Sequence, residues 1–287
     1  MHIPSFIYLY DGGKTECLNL NKISLYLKNI FKKSEIQIRE EFIAYYIFNL
    51  SSEEKEKAIN HLANEIASIK VRKIEERNIV FKPLQVEIEY EKKRLSESGN
   101  KSFGILYDGF ELMTIFSKLI TKKESGFSHC HIVFTNQIFG TYDEADMRYH
   151  ARVSVYGFPS IISTSGIVEA PAKPREFYLK KQMGIDINAL KQEFAGRFID
   201  YDDSRMTEVM KGYVLQAIFF HMTGDPFCED KNCRLYNAHW QEEVIQSQLN
   251  AKNEPVQLCS EFVLSGSKYE FCEKHQKIIK QLTKEKL

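Results

Sequence analysis

The sequence predicts an α/β protein, a mixed sheet with flanking helices, from three observations. The apolar run Phe6 to Asp11 is followed by Gly12-Gly13, as a strand entering a turn would be. Strand-like and helix-like runs then alternate along the chain, the pattern of α/β sheet proteins. Ser51 stands three residues before Glu54, the spacing of a capping box at a helix start.

In chain order, the strand Phe6 to Asp11 is followed by two helical stretches, Ser34 to Asn49 and Ser51 to Ala67. From Asn78 to Tyr90, the residues Val80, Leu84, Val86, Ile88 and Tyr90 share one face of a strand. Lys82 interrupts that face, and Pro83 favours an edge position or a later start. Residues 91–103 are charged, contain Ser96, Ser98 and Gly99, and read as an internal loop or linker. An amphipathic helix is expected over Gly109 to Thr121 and an apolar strand over His131 to Thr135. Arg148 to Tyr156 and Ser160 to Ser163 are further strands, and Gly166 to Pro174, with two prolines, is irregular. Arg205 to Thr223 reads as a helix and Glu273 to Lys284 as a short basic one. This divides the chain into an N-terminal α/β region, 1–100, packed with the rest, and a second region, 101–287, whose last segment is 224–287.

The whole-chain properties exclude several classes. At 287 residues and 33.5 kDa the chain can bury a large core. Its 39 basic and 39 acidic residues cancel, so no nucleic-acid partner is expected. No run approaches 18 consecutive apolar residues, and Met1-His2-Ile3-Pro4 lacks the basic end and apolar core of a signal peptide. A soluble, cytoplasmic protein without a membrane partner is the expectation. Six cysteines are too few for a disulfide scaffold, and Cys17, Cys130 and Cys259 read as isolated small hydrophobes. Neither phosphate-binding glycine motif nor a Gly-x-Ser-x-Gly elbow occurs.

The remaining cysteines carry the chemistry. Cys228 and Cys233 flank a short polar knuckle, and Cys272 and His275 follow as a Cys-x-x-His pair. Paired thiolates closed by a Cys/His pair are the donor set of a tetrahedral structural zinc. The 38 residues between Cys233 and Cys272 must loop out and return, a closure whose entropic cost grows slowly with length. His239, in Asn237-Ala-His-Trp240, is the competing fourth ligand.

The preceding helix lacks what a zinc protease needs. That chemistry places two histidines four apart on one helix face, with a glutamate beside the first as general base. Here His221 is the second position, but Ala217 and Ile218 stand where the first histidine and the glutamate would be. Neither alkyl group can bind zinc or take a proton from water.

These residues resemble the archaemetzincins, zinc metallopeptidases with the pattern His-Glu-x-x-His-x-x-Gly-x-x-His-Cys, a second cysteine five positions on, and a later Phe-Cys-x-x-Cys. The chain reads Ala217-Ile-Phe-Phe-His221-Met-Thr-Gly224-Asp-Pro-Phe227-Cys228, then Cys233, then Phe271-Cys272-Glu-Lys-His275. The resemblance covers mainly residues 205–275 and extends to an archaeal protein group described as metallopeptidases. It implies a metzincin-like core and a structural zinc on Cys228, Cys233, Cys272 and His275, with His275 replacing a cysteine. It also places Ala217, Ile218 and Phe227 at the first histidine, the general base and the third histidine, and Leu235 at the Met-turn position.

Weaker candidates lie elsewhere. Arg148, His150 and Arg152 share one strand face and fit either an acidic ligand or pairing with Asp143, Glu144 and Asp146. Glu169 is an acid or base candidate alongside His150 or His221, with Lys173 and Arg175 as anion holders, in a loop that equally reads as a rigid crossover. His129 and His131 are candidates for a second metal site with His150 or His221, and Asp202, Asp203 and Glu208 read as helix caps. The leading functional expectation is a catalytically degenerate metallopeptidase-like protein with one structural zinc, binding a peptide or protein. The alternatives are a metal-dependent hydrolase or peptidase with a noncanonical site near His221, and a purely architectural subunit.

Overall fold

The computed structural model describes residues 2–13, 15–48, 50–77, 81–96, 104–249 and 270–283. The chain forms two compact units, one of Met1–Thr15 with Glu35–Ala170 and one of Glu16–Ser34 with Pro171–Leu287. The units interleave in sequence, because a helical excursion between the first two strands belongs to the second unit. No boundary between them falls at residue 100.

The first unit is built on a mixed five-stranded sheet of order β2-β1-β4-β8-β7, comprising β2 (Glu35–Glu40), β1 (Phe6–Asp11), β4 (His129–Thr135), β8 (Ser160–Ser163) and β7 (Ser154–Val155). The first four run parallel, and β7 closes the edge antiparallel to β8. Ile7, Leu9, Ile132 and Phe134 are buried, and so are Tyr8, Tyr10 and Val133 on the opposite side. Burial of both faces explains the continuous apolar runs of β1 and β4. A second sheet has the order β3-β5-β6, from β3 (Leu106–Asp108), β5 (Ile138–Asp143) and β6 (Arg148–Arg152).

Helices of this unit are α2 (Phe42–Phe48), α3 (Ser52–Ser68), α4 (Gln85–Ser96), α5 (Gly109–Ser117) and the single turn α6 (Gly166–Glu169). Leu62 and Ile66 of α3, Leu112 and Phe116 of α5 and Phe42 of α2 pack with Tyr8, Tyr10 and Val133 in one apolar cluster. Ser51 caps α3 as the spacing requires, with its side chain accepting from the Glu54 N–H and Glu54 returning to the Ser51 N–H.

Three expectations are corrected here. The predicted helix from Ser34 is a strand as far as Glu40, and the helix starts only at Phe42. Glu35-Ile-Gln-Ile-Arg-Glu40 alternates with period two and pairs residue by residue with β1. The described part of the predicted strand Asn78–Tyr90 contains no strand, and from Gln85 it is helix α4, which continues into the stretch expected to be loop. Val86 and Tyr90 face solvent, Leu95 packs on the apolar cluster, and Glu91 is its buried residue. Residues 78–80 and 97–103 lie outside the described ones. The stretch expected to be irregular opens with the helical turn α6.

The second unit is helical: α1 (Leu20–Ile30), α7 (Arg175–Gln182), α8 (Ile187–Glu193), α9 (Met206–Thr223), α10 (Gln241–Gln248) and α11 (Glu273–Thr283). Phe177, Leu190, Phe194 and Phe198 form its small aromatic cluster around α7 and α8. Helix α9 is buried on nearly every side and packs against α1 and α10. It ends at Gly224, whose φ of 78° is the left-handed conformation that glycine adopts most readily. Among the described residues no helix is long and apolar enough to cross a membrane.

Candidate metal centre

Four ligand atoms converge just beyond the end of α9. Cys228 follows Gly224 and Pro226, which stop the helix and turn the chain. The Cys228 N–H donates to the Leu235 carbonyl at 2.9 Å and the Cys233 N–H to the Asp230 carbonyl at 2.9 Å. Asp230 also accepts from the Asn232 N–H through its carboxylate, at 2.9 Å. This knuckle folds residues 228–235 back so that both thiols face one point.

The returning segment supplies the other half. Cys272 immediately precedes α11, and His275 lies in its first turn, buried against the edge of the Phe219 ring at 5.6 Å. The ligand atoms of Cys228, Cys233, Cys272 and His275 all lie within 4.8 Å of one another. Cys228 Sγ and Cys272 Sγ are 3.6 Å apart, Cys233 Sγ and His275 Nδ1 3.6 Å, and Cys272 Sγ and His275 Nδ1 3.1 Å. Ligands at zinc bond lengths and tetrahedral angles stand about 3.8 Å apart for two sulfurs and about 3.6 Å for sulfur and nitrogen. Two of the three separations match these within a few tenths of an ångström, and the third is about half an ångström short. The sulfurs are much too far apart for a disulfide, which needs about 2.05 Å.

The donor set also suits a cation chemically. Burial pushes the Cys228 and Cys233 thiols above their ordinary range, and their proximity to Cys272 adds to the rise. Backbone N–H groups meanwhile point at the sulfurs, that of Asp230 at Cys228 Sγ at 3.4 Å, and those of Leu235 and Cys272 at Cys233 Sγ. Donors aimed at crowded buried sulfurs satisfy thiolates, and a divalent cation offsets the remaining cost. Burial lowers the His275 pKa, keeping the imidazole neutral with a lone pair to give.

The knuckle is braced by a residue that the sequence reading passed over. Arg234, 1 % exposed, pairs with Glu208 of α9 at 2.7 Å and with Glu270, two residues before Cys272. Its N–H also donates to the Glu270 carbonyl at 2.9 Å, and Tyr26 of α1 donates to the Glu270 carboxylate at 2.7 Å. Its position directly after Cys233 is the one signal the sequence offered. Glu208, expected as a helix cap, is instead an ion-pair partner of Arg234 and Lys211.

Of the other candidates, only His150 joins a converging ligand group among the described residues. Among the described residues the only further group of at least three converging ligands is Asp143, Asp146 and His150, partly or fully exposed, where His150 Nε2 lies 2.7 Å from Asp146. That is the pairing weighed for the β6 basic face, and Arg152 likewise donates to Thr141 at 2.8 Å. His129 Nδ1 is engaged by Tyr8, and both nitrogens of His131 are engaged, by the Tyr10 hydroxyl and the Glu124 carbonyl. His239 lies outside the cysteine cluster, its N–H donating to Glu243 at 3.0 Å. Glu169 is exposed on α6 in the first unit. Lys173 lies over the Phe177 and Phe198 rings and Arg175 over Trp240, in the second unit. Ala217 and Ile218 are wholly buried in α9, His221 is half-buried, and Phe227 is exposed.

A family model described as "Probable metallopeptidase family (DUF6775)" matches residues 3–282. The chain belongs to this family. Its members' description and the converging cysteines agree with a metallopeptidase-like, metal-binding protein. Among solved structures, the crystal structure of archaemetzincin from Methanopyrus kandleri is similar, with 8% sequence identity, a TM-score of 0.44 and coverage of 99% of this chain and 97% of that chain. No curated protein matches the chain.

Proposed function

We propose that this member of the probable metallopeptidase family is catalytically degenerate, keeps one structural zinc on Cys228, Cys233, Cys272 and His275, and serves as a peptide- or protein-binding module. The observation that carries the zinc is the convergence of three thiols and one neutral imidazole within 4.8 Å, from two segments far apart in sequence. All four positions belong to side chains, so the site is closed, as in structural rather than catalytic zinc centres. Zinc there fastens the 270–283 segment to the knuckle after α9.

The degenerate half rests on Ala217 and Ile218. Both are completely buried alkyl side chains on the helix that ends beside the cluster. A hydrolytic zinc needs three protein ligands, an open position and a base, and these positions supply neither ligand nor base. His221 joins no converging ligand group among the described residues, which leaves the noncanonical-hydrolase alternative without support from geometry.

The deciding experiment is metal analysis of the purified chain together with a peptidase screen. One zinc per chain and no metal-dependent cleavage of a peptide library are expected. Two metals per chain, or chelator-sensitive cleavage, would overturn the reading.

A further inference from the structure

The carboxyl ends of β2, β1 and β4 border a cavity of about 460 Å³ within the first unit. Its size is that of a small-molecule site. The chain leaves β1 for β2 on one side, while β4 and then β8 lie on the other, so β1 and β4 bound a point where the winding direction reverses. Open α/β sheets bind ligands in the crevice outside the strand ends at such a point. Gly12 keeps this crevice narrow at its base, since a Cβ there would meet the Phe134 carbonyl oxygen at 2.3 Å.

The polar inventory of the cavity is unbalanced. Asn136, just past β4, is 8 % exposed, and its Nδ2 has no hydrogen-bond partner among the described residues. A buried donor left unmade is costly and therefore unusual. Asp11, Glu40 and Glu41 bring three carboxylates, of which Glu41 spends one oxygen on the Ala44 N–H at 2.8 Å. Arg94 faces the same space, but its charge is committed to Glu91 at 2.7 Å. Among the described residues of the lining Lys55 is the remaining cation, with Nζ 5.9 Å from the centre of the Phe48 ring. Among the described residues the three carboxylates belong to no converging metal-ligand group. A ligand for this site thus carries an organic cation, a nearby hydrogen-bond acceptor for Asn136, and an apolar part for Phe48 and Leu95.

We infer that the cavity binds the amino end of a free amino acid or short peptide, with the ammonium beside Asp11, Glu40 and Glu41 and the neighbouring carbonyl or carboxylate oxygen accepting from Asn136 Nδ2. Lys55 then faces a ligand carboxylate. The inference is independent of the zinc centre, which lies in the other unit.

Titration calorimetry on the full chain tests it with four probes: leucine, leucyl-glycine, leucinamide and N-acetyl-leucine. Saturable binding of leucine or leucyl-glycine is expected, and the tighter of the two tells whether the ligand is an amino acid or a peptide. Loss of a hydrogen bond to a charged group predicts affinity about tenfold or more weaker for N-acetyl-leucine, and likewise for Asp11→Asn and Asn136→Ser. Asp11→Asn alters an exposed side chain, so it and Glu40→Gln decide the matter if Asn136→Ser does not fold. Zinc content should be unchanged in every variant, which separates failure here from failure of the zinc reading. No saturable binding of any probe up to about 10 mM, weaker than millimolar affinity, would overturn the inference. So would N-acetyl-leucine binding as well as leucine, or equal affinity in the variants that fold.

Discussion

Cys228 Sγ and Cys272 Sγ stand 3.6 Å apart although 44 positions separate them in the chain. Nothing covalent joins them, so the knuckle and the α11 segment meet through Arg234, the thiols and whatever the thiols hold. Cys272→Ser should therefore lower bound zinc from one per chain to a small fraction. The affinity loss should exceed the roughly 10–100-fold that removing a supporting outer partner costs. Limited proteolysis should then cut near α11 much faster than in the parent chain. Native mass spectrometry reads the first effect, and unchanged zinc occupancy would remove Cys272 from the ligand set.

Arg234 tests the brace separately from the metal. Its guanidinium is buried at 1 % exposure between Glu208 and Glu270. Arg234→Met removes the partner of two carboxylates that are themselves partly buried. Breaking a buried pair from one side costs about 3–5 kcal/mol. Both carboxylates retain some exposure, so the lower end of that range is expected in a denaturant titration. Zinc affinity should fall as well, because Glu270 orients the approach to Cys272. A change below 1 kcal/mol would show that the ion pairs are solvated and do not brace the centre.

How far the sequence carried can be read from particular elements. The α3 capping box and the apolar runs of β1, β4 and β8 are local signals, and each element formed where its signal lay. The convergence of Cys228, Cys233, Cys272 and His275 was legible because metal chemistry limits residue type and spacing more tightly than packing does. Helix α4 was misread because Leu84, Val86, Ile88 and Tyr90 alternate like a strand, yet Leu84 and Val86 are 62 % and 70 % exposed. What helps hold that helix is Glu91, paired with its neighbour Arg94 and with two partners distant in sequence, Lys70 and the Tyr107 hydroxyl from which it accepts, which hydropathy cannot reveal. The Asn136 cavity was invisible for the same reason, since strand order defines it.

Ile218 offers a prediction about the proposed lack of catalysis. Its side chain is wholly buried, so introducing a glutamate there places a carboxylate in an apolar interior. Ile218→Glu alone should destabilise the chain by about 3 kcal/mol or more, the range for an unpaired buried charge. It should yield no peptidase activity in a fluorogenic-peptide assay, because Ala217 and Phe227 still provide no ligand. Full stability would mean that position 218 tolerates a charge, and the α9 interior would then remain open to catalysis.

His131 sets a pH dependence of its own, in the first unit, apart from the proposed zinc centre. It is 2 % exposed, held by Tyr10 and the Glu124 carbonyl, and burial lowers its pKa from 6.5 to about 4. The unfolded chain therefore binds a proton at this site between pH 6.5 and about 4 while the folded chain does not. Stability is thus fully present above the unfolded value and is lost as pH falls through that window. A shift of this size corresponds to about 3 kcal/mol. Glu124, whose pKa is lowered chiefly by its hydrogen bond to Arg39, adds a loss of the same sign at lower pH. Urea titrations from pH 7 to pH 4 should show the decline, and His131→Gln should remove most of the slope above pH 4.5 while lowering stability at pH 7. Equal slopes in the two proteins would mean that His131 titrates normally and that its burial does not hold it neutral.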